Sequence, residues 1–478
     1  MGLEYQTYLS PYTLRYGTPA MRRLWSEVYK RQLWRQLWVS LAEVQAEFGL
    51  VQPEQIADLR THVDDVDIPR ALEIEGEIHH DLMAELKCFA EQASIGGSIL
   101  HLGATSTDIE DNADVLRIRQ SLDLILDELR DLLLEFASQI DAWADTPLIA
   151  FTHLQPAEPS TLGYRLATYA QDLLMDWEEI TRVQARLRGK GFKGAVGTGA
   201  SYAELLGVEN INDFERRLSE RLNLPFFPVA TQVYPRKQDF QVINSLASMG
   251  ASLYRFAFDV RILQSPSIGE WSEPFGTRQV GSSAMPFKRN PVNAEKIDSL
   301  ARLLAQYPRI AWDNAAHSLL ERTLDDSANR RTMLPEAFLI ADEILSAARQ
   351  ILVGLEIDQA AIAHNLSTYG SFAALERLLM ALSKAGADRQ VMHERLRQHS
   401  MKAWESLKSG ESNPLVDDIS QDPEIRRYLP ELDLHLLMDA IHHLGDAPRR
   451  AHDLARAVRN NVGYTETIVA SRSGPTET

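Results

Sequence analysis

The run from Asp239 to Gln264 contains no proline and places Phe240, Ile243, Leu246, Gly250, Leu253, Ala257, Val260 and Leu263 at three- and four-residue steps. That spacing puts the apolar residues on one face of an α-helix. A single helix over the run would span on the order of 39 Å at ~1.5 Å per residue. Helices of that length cover their apolar stripes by packing in bundles. Two more runs share the rhythm. One has Leu122, Ile125, Leu126, Leu129, Leu132, Leu133, Phe136 and Ile140; the other has Leu166, Tyr169, Leu173, Trp177, Ile180 and Leu187. Alternating patterns are scarce, and Phe227–Thr231 is the best candidate for a short strand. The expected fold class is all-α. Soft breaks lie at Gly96-Gly97 to Gly103 and after Gly354, where long apolar segments give way to shorter, more charged ones. No internal repeat is visible, and the polar tail Ser471–Thr478 is expected to be disordered.

Composition narrows the function. The chain has 478 residues, 45% hydrophobic and 24% charged, with a formal net charge of -18. This balance argues against a nucleic-acid-binding surface, which would be basic. An anionic ligand must instead meet a local cationic cluster. The one cysteine, Cys88, sits in an apolar helical stretch and reads as packing. No intrachain disulfide is possible, as suits a reducing compartment. The start, Met-Gly-Leu-Glu-Tyr-Gln, shows no leader pattern, and Gln6 stands where a myristoylation site carries Ser or Thr. No apolar run reaches the ~18 residues of a membrane helix. A soluble, cytoplasmic protein is expected.

Chemistry concentrates in a few segments. Gly281-Ser282-Ser283-Ala284-Met285-Pro286-Phe287-Lys288-Arg289-Asn290-Pro291 sets two hydroxyls beside two cations, with prolines that prevent a plain helix. It reads either as a solvated turn or as a loop offering oxygen bases next to cations and backbone N–H groups. Thr105-Ser106-Thr107-Asp108 reads as a helix cap, and the exposed amides of a helix start also bind anions. Thr152-His153-Leu154-Gln155-Pro156-Ala157 holds a histidine before a Gln-Pro turn, a proton donor suited to neutral pH. In Glu77-Ile78-His79-His80-Asp81 the adjacent histidines would point apart on a helix and lack metal-site spacing, as do His393 and His399. Gly189-Lys190-Gly191-Phe192-Lys193-Gly194 fits a dinucleotide fingerprint in form only. A helical pattern precedes it and no βαβ unit surrounds it, so it reads as a flexible turn. Arg322, Ser327 and Arg331 lie in a charged stretch and are the groups that hold a phosphate.

The Gly281–Pro291 segment resembles the signature loop of the fumarate lyase superfamily, G-S-x-x-M-P-x-K-x-N-P, at every fixed position. The blocks at residues 103–112, 152–157 and 189–198 resemble that superfamily in the same order. Leu320–Arg331, Arg15-Tyr16 and His80-Asp81 narrow the resemblance to the adenylosuccinate lyase family. His79 and Lys296 stand where that family often carries arginine. The resembling blocks run from residue 15 to 331, and the C-terminal third holds no specific motif.

The resemblance implies three helical parts: residues 1–104, a central long-helix bundle at 105–357 with the signature loop at 274–291, and 358–478. It implies a homotetramer whose central helices form a common core and whose active sites are shared between subunits. The implied reaction is β-elimination of fumarate from adenylosuccinate, and from the succinylaminoimidazole carboxamide ribotide, in purine biosynthesis. Ser282 is the implied base, with Ser283 as alternate, His153 the acid, and His80 and Lys288 further catalytic groups. Arg15, Tyr16, His79, Asp81, Thr105, Ser106, Gln232, Asn290, Lys296, Arg322, Ser327 and Arg331 would bind the small nucleotide substrate. No metal and no cofactor is implied. Gly269, Gly276 and Gly281 suggest a lid over the substrate. Two rivals remain at this level. One is another fumarate-releasing lyase, such as an argininosuccinate lyase or a fumarase, against which the Arg322–Arg331 block argues. The other is a non-catalytic helical scaffold, which would not need Ser282, Lys288, Asn290 and His153.

Overall fold

A computed structural model describes residues 6–463; the tail Ser471–Thr478 lies outside the described residues. The periodic runs form helices at Ser106–Trp143, Leu162–Ala185 and Lys237–Leu263, joined by a fourth long helix at Ser327–Val353. Their apolar stripes are covered: Leu122, Ile125, Leu129, Leu132, Leu133, Phe136 and Ile140 are fully buried. So are Ile243, Leu246, Leu253, Ala257 and Val260. At ~25 cal/mol per Å², such burial is the main favourable term holding long helices together.

Contacts divide the chain into two compact units. One comprises Met1–Leu129, Asp176–Leu253 and Ser299–Ser346; the other comprises Arg130–Met175, Tyr254–Asp298 and Ala347–Thr478. The cuts fall inside the long helices, whereas the three-part expectation follows chain order. In the first unit, Ser248 and Ser252 donate to the buried Asp176 carboxylate at 2.9 and 2.6 Å, so a charge inside the helix packing is satisfied. Cys88 is buried with Ala71, Ile74 and Ala84, and burial pushes its thiol up, as expected for a packing cysteine. In the second unit, Phe136, Phe256 and Tyr169 pack edge to face at 5.3 and 5.5 Å. A separate C-terminal core gathers Leu378, Leu382, Leu396, Leu415, Ile419 and Ile425.

Strands occur only as two small antiparallel pairs among the described residues. Phe227–Thr231 is not one of them. Pro228 interrupts the segment and Pro225 precedes it, and the single bridge nearby joins Phe226 to Gly189. The longer pair is instead Pro147–Thr152 with Gln155–Thr161, turning at His153 and Leu154. Its prolines hide the strand pattern in the sequence, yet a two-stranded ribbon has only edges, where proline is tolerated. No helix of the described residues is long and apolar enough to cross a membrane.

Candidate active site

The first unit builds a charged cleft at the starts of helices. The Ile68–Ile78 helix stops because His79 adopts left-handed backbone, with φ 54°. His80 then caps the next helix, its Nδ1 accepting the Met83 amide at 3.4 Å. The two histidines therefore occupy a helix junction and not one helix. His80 Nε2 lies 3.3 Å from Ser106 Oγ, which brings the Glu77–Asp81 segment onto the Thr105–Asp108 segment. The turn before Thr105 is held from outside the motif. Trp38 Nε1 donates to His101 Nδ1 at 3.0 Å, and Gln45 donates to the Leu102 carbonyl at 2.8 Å. Burial lowers the His101 pKa, which keeps its ring neutral and able to accept.

Asp108 organises the turn further. Its carboxylate accepts the Thr105 amide at 3.1 Å, the Lys193 and Gly194 amides, the Tyr202 hydroxyl and the buried Lys190 ammonium. The glycine segment at 189–194 is thus a packed clamp on the start of the Ser106 helix, where the sequence suggested a flexible turn. Gly197 also faces the Ala230 carbonyl so closely that a Cβ would lie 1.9 Å from it. Thr107 Oγ1 donates to the Gln232 carbonyl, and the Gln232 amide donates to the Glu321 carbonyl at 3.1 Å. The backbone of Gln232 therefore ties the Thr-Ser block to the Arg322 block.

Adjacent arginines diverge in that last block. Arg330 is buried, donating to Asp239 and to the Tyr234 hydroxyl, each at 2.8 Å. Arg331 is exposed and meets Asp81 at 2.8 Å. Arg322 bonds Asp326 at 2.9 Å, and Asp326 also receives Arg236 at 2.7 Å. Burial would push the Asp326 carboxyl up, but Arg236 and Arg322 outweigh it and hold it below the usual range. Arg236 continues to Asp111 at 3.0 Å. Arg236, Arg330, Asp111 and Asp326 form a buried scaffold that motif reading passed over, because charged residues in sequence look solvated. Arg322, Ser327, Arg331, Asp81 and Thr107 line one cleft of about 160 Å³, together with Lys30 and Trp34. Pro335 lines it too and leaves the helix without a donor for the Arg331 carbonyl. Arg15 and Tyr16 are not among the lining residues; Arg15 ends a short helix, and the Tyr12 and Tyr16 rings lie 5.9 Å apart.

The second unit presents the remaining groups. His153 and Leu154 form the hairpin tip with φ 53° and 58°, left-handed values that no glycine relieves. His153 is held out, exposed, on a strained two-residue turn. In the signature loop, Ser282 Oγ accepts the amides of Met285 at 3.0 Å and Ala284 at 3.4 Å. These are the donors a serine oxygen needs if it is to carry negative charge. Ser283 and Lys288 are exposed, and the Lys288 amide closes a turn onto the Met285 carbonyl at 3.0 Å. Asn290 donates to the Gly281 carbonyl at 2.8 Å and so pins the loop. Gly281 is required there, since a Cβ would lie 2.1 Å from the Lys288 carbonyl. Its lack of a Cβ permits this close approach of the loop to itself. The loop ends are cinched by the buried Glu273, which accepts the Asn293 and Ala294 amides at 3.1 and 2.9 Å. Lys296 follows, half-buried, on the Val292–Leu304 helix.

Comparison with known proteins gives two family matches along the chain. Residues 23–304 match the family described as lyase, and residues 372–453 match the adenylosuccinate lyase C-terminus. The second match covers the part of the chain where no motif was legible. An adenylosuccinate lyase of Schistosoma mansoni is 38% identical over 88% of each chain. Those of Saccharomyces cerevisiae and Pyrococcus abyssi are 35% and 34% identical over 96% of this chain, and over 96% and 98% of their own. Among solved structures, a fumarate lyase from a Mesorhizobium species superposes with TM-score 0.81 at 25% identity, covering 96% of this chain and all of that one (100%). A 3-carboxy-cis,cis-muconate lactonizing enzyme from Pseudomonas putida gives 0.83 at 25% identity, over 93% and 98%.

Proposed function

The chain belongs to the adenylosuccinate lyase family, and we propose that it releases fumarate from adenylosuccinate by the following division of labour. Ser282 removes the proton from the carbon beside a carboxylate. The electron pair forms the new C=C bond, the C–N bond breaks, and His153 protonates the departing nitrogen, leaving fumarate and AMP. The Ser282 oxygen, already receiving two amides, is supported by the Lys288 ammonium while it is charged. Thr105 and Ser106 hold a carboxylate of the substrate, His80 beside Ser106 is a further catalytic group, and Asn290 binds substrate from the loop that carries Ser282. Gln232, His79, Asp81 and Lys296 complete the substrate contacts.

One observation carries the nucleotide reading: Arg322, Ser327 and Arg331 converge on a single cleft beside the start of the Ser106 helix. A nucleotide phosphate of about -1.5 to -2 charge is the partner such a cluster suits. Arg15 and Tyr16 would add to the phosphate contacts from another subunit of a homotetramer. In that assembly the 1–104, 105–357 and 358–478 parts would be its working divisions, with long helices of four chains as the common core. The same chemistry would extend to the succinylaminoimidazole carboxamide ribotide, the second substrate of a cytoplasmic enzyme of purine biosynthesis. The test is fumarate release from the purified protein with adenylosuccinate, argininosuccinate, malate and aspartate in parallel. Release from adenylosuccinate is expected; release only from another substrate overturns the reading.

A further inference from the structure

Glu110 lines the same cleft as Arg322, Ser327 and Arg331, from the second turn of the Ser106–Trp143 helix. Its neighbours are committed to cations. Asp111 takes Arg236 at 3.0 Å, Asp114 takes Arg117 at 2.5 Å, and Asp81 takes Arg331 at 2.8 Å. Glu110 has no hydrogen-bonded partner among the described residues. The charges that act on it are Asp81 from the Asp81–Gln92 helix, Asp111 and Asp114 from its own Ser106–Trp143 helix, and Arg331 from the Ser327–Val353 helix. Glu27 and Lys30, from the Glu27–Glu47 helix, line the same cleft. Burial first, and then the three aspartates, push the Glu110 carboxyl up to about 7, with Arg331 opposing. The group is therefore divided between its two forms near neutrality.

A phosphate entering this cleft brings a further negative charge. Against an ionised Glu110 it would be repelled, while against a neutral carboxyl it gains an O–H donor. We propose that Glu110 is a further substrate-binding residue, meeting the nucleotide's phosphate as a neutral carboxyl donor, so that binding draws a proton from solvent. The proposal rests on the reading of this cleft as the phosphate site. The proton comes from water or buffer, adds to a Glu110 carboxylate oxygen and returns to solvent when the product nucleotide leaves. No bond of the substrate changes in this step. Above about pH 7 the affinity for a nucleoside monophosphate then falls, approaching about tenfold per pH unit, until the bound form also ionises.

The experiment is titration calorimetry of the full-length protein with AMP and with adenosine, at pH 7.5 and 8.5, in buffers of different ionisation enthalpy. Wild type is expected to take up a substantial fraction of a proton per AMP, and essentially none per adenosine, with weaker AMP binding at pH 8.5. Glu110→Gln keeps an N–H donor that does not titrate, so it should bind AMP equally at both pH values with no uptake. Glu110→Ala should bind AMP more weakly without regaining a pH dependence. Proton uptake absent in wild type, or unchanged in Glu110→Gln, overturns the proposal while the phosphate cleft stands. No AMP binding to folded wild type, with adenosine still bound, overturns the phosphate cleft itself and the proposal with it.

Discussion

The cleft of the first unit and the signature loop of the second both present charge and hydroxyls, but they are held by opposite means. The cleft stands on helix starts fixed by buried ion pairs: Arg330 with Asp239, Arg236 with Asp111 and Asp326, and Lys190 with Asp108. The signature loop has few buried charges. It is held by backbone and amide contacts, Asn290 to Gly281 and Glu273 to the start of the Val292–Leu304 helix. The difference teaches where stability and turnover separate. On the proposed reading, a binding site for a fixed anion gains from rigidity, whereas a base must be reachable and able to close on its substrate.

Substitutions can break this comparison. The largest effect is expected at the half-buried Ser282 and the exposed His153 of the second unit. Ser282→Ala and His153→Gln should each lower kcat by about 10²- to 10⁴-fold, the range for general acid–base groups, with melting temperature unchanged. Turnover within a few-fold of wild type in either variant would remove that residue from its assigned role. Next comes the buried scaffold. Arg330→Met leaves Asp239 without its guanidinium and should cost about 3–5 kcal/mol in urea unfolding. A stability loss below about 1 kcal/mol would mean that the cleft is not held by its ion pairs.

Arg331→Met, one residue away, sharpens the contrast. It should raise KM for the nucleotide by about tenfold, the loss of one charge-assisted contact, with stability within about 0.5 kcal/mol. Equal stability losses at 330 and 331 would erase the distinction between scaffold and ligand arginine. The smallest effect belongs to the hairpin tip. Leu154 holds φ 58°, so Leu154→Gly should relieve strain and raise stability by up to about 1 kcal/mol. A decrease would show that Leu154 makes contacts that outweigh its backbone.

Short motifs made part of the candidate site legible: the helix-start reading of Thr105–Asp108 matches a helix beginning at Ser106, and the Arg322, Ser327 and Arg331 singled out in sequence line one cleft with Thr107. What stayed hidden depends on partners far away in sequence. His101 works through Trp38, 63 residues earlier, and Arg236 through Asp111, 125 residues earlier. The hairpin carrying His153 escaped for a different reason: its turn lacks the glycine or asparagine that usually marks left-handed backbone, and its strands contain proline. A left-handed His-Leu tip is set by the strand pairing on either side, which local preference cannot report.

The sequence by itself determined the long helices and the order of the motifs, since apolar periodicity and covalent neighbours are local properties of the chain. Packing of distant elements settles which of two consecutive arginines is buried beside Asp239 and which stays exposed beside Asp81, and leaves the Glu110 carboxyl without a hydrogen-bonded partner among the described residues. Burial and charge pairing arise between elements about 90 to 250 residues apart in the chain, and desolvation acts on a group only once those elements have packed around it.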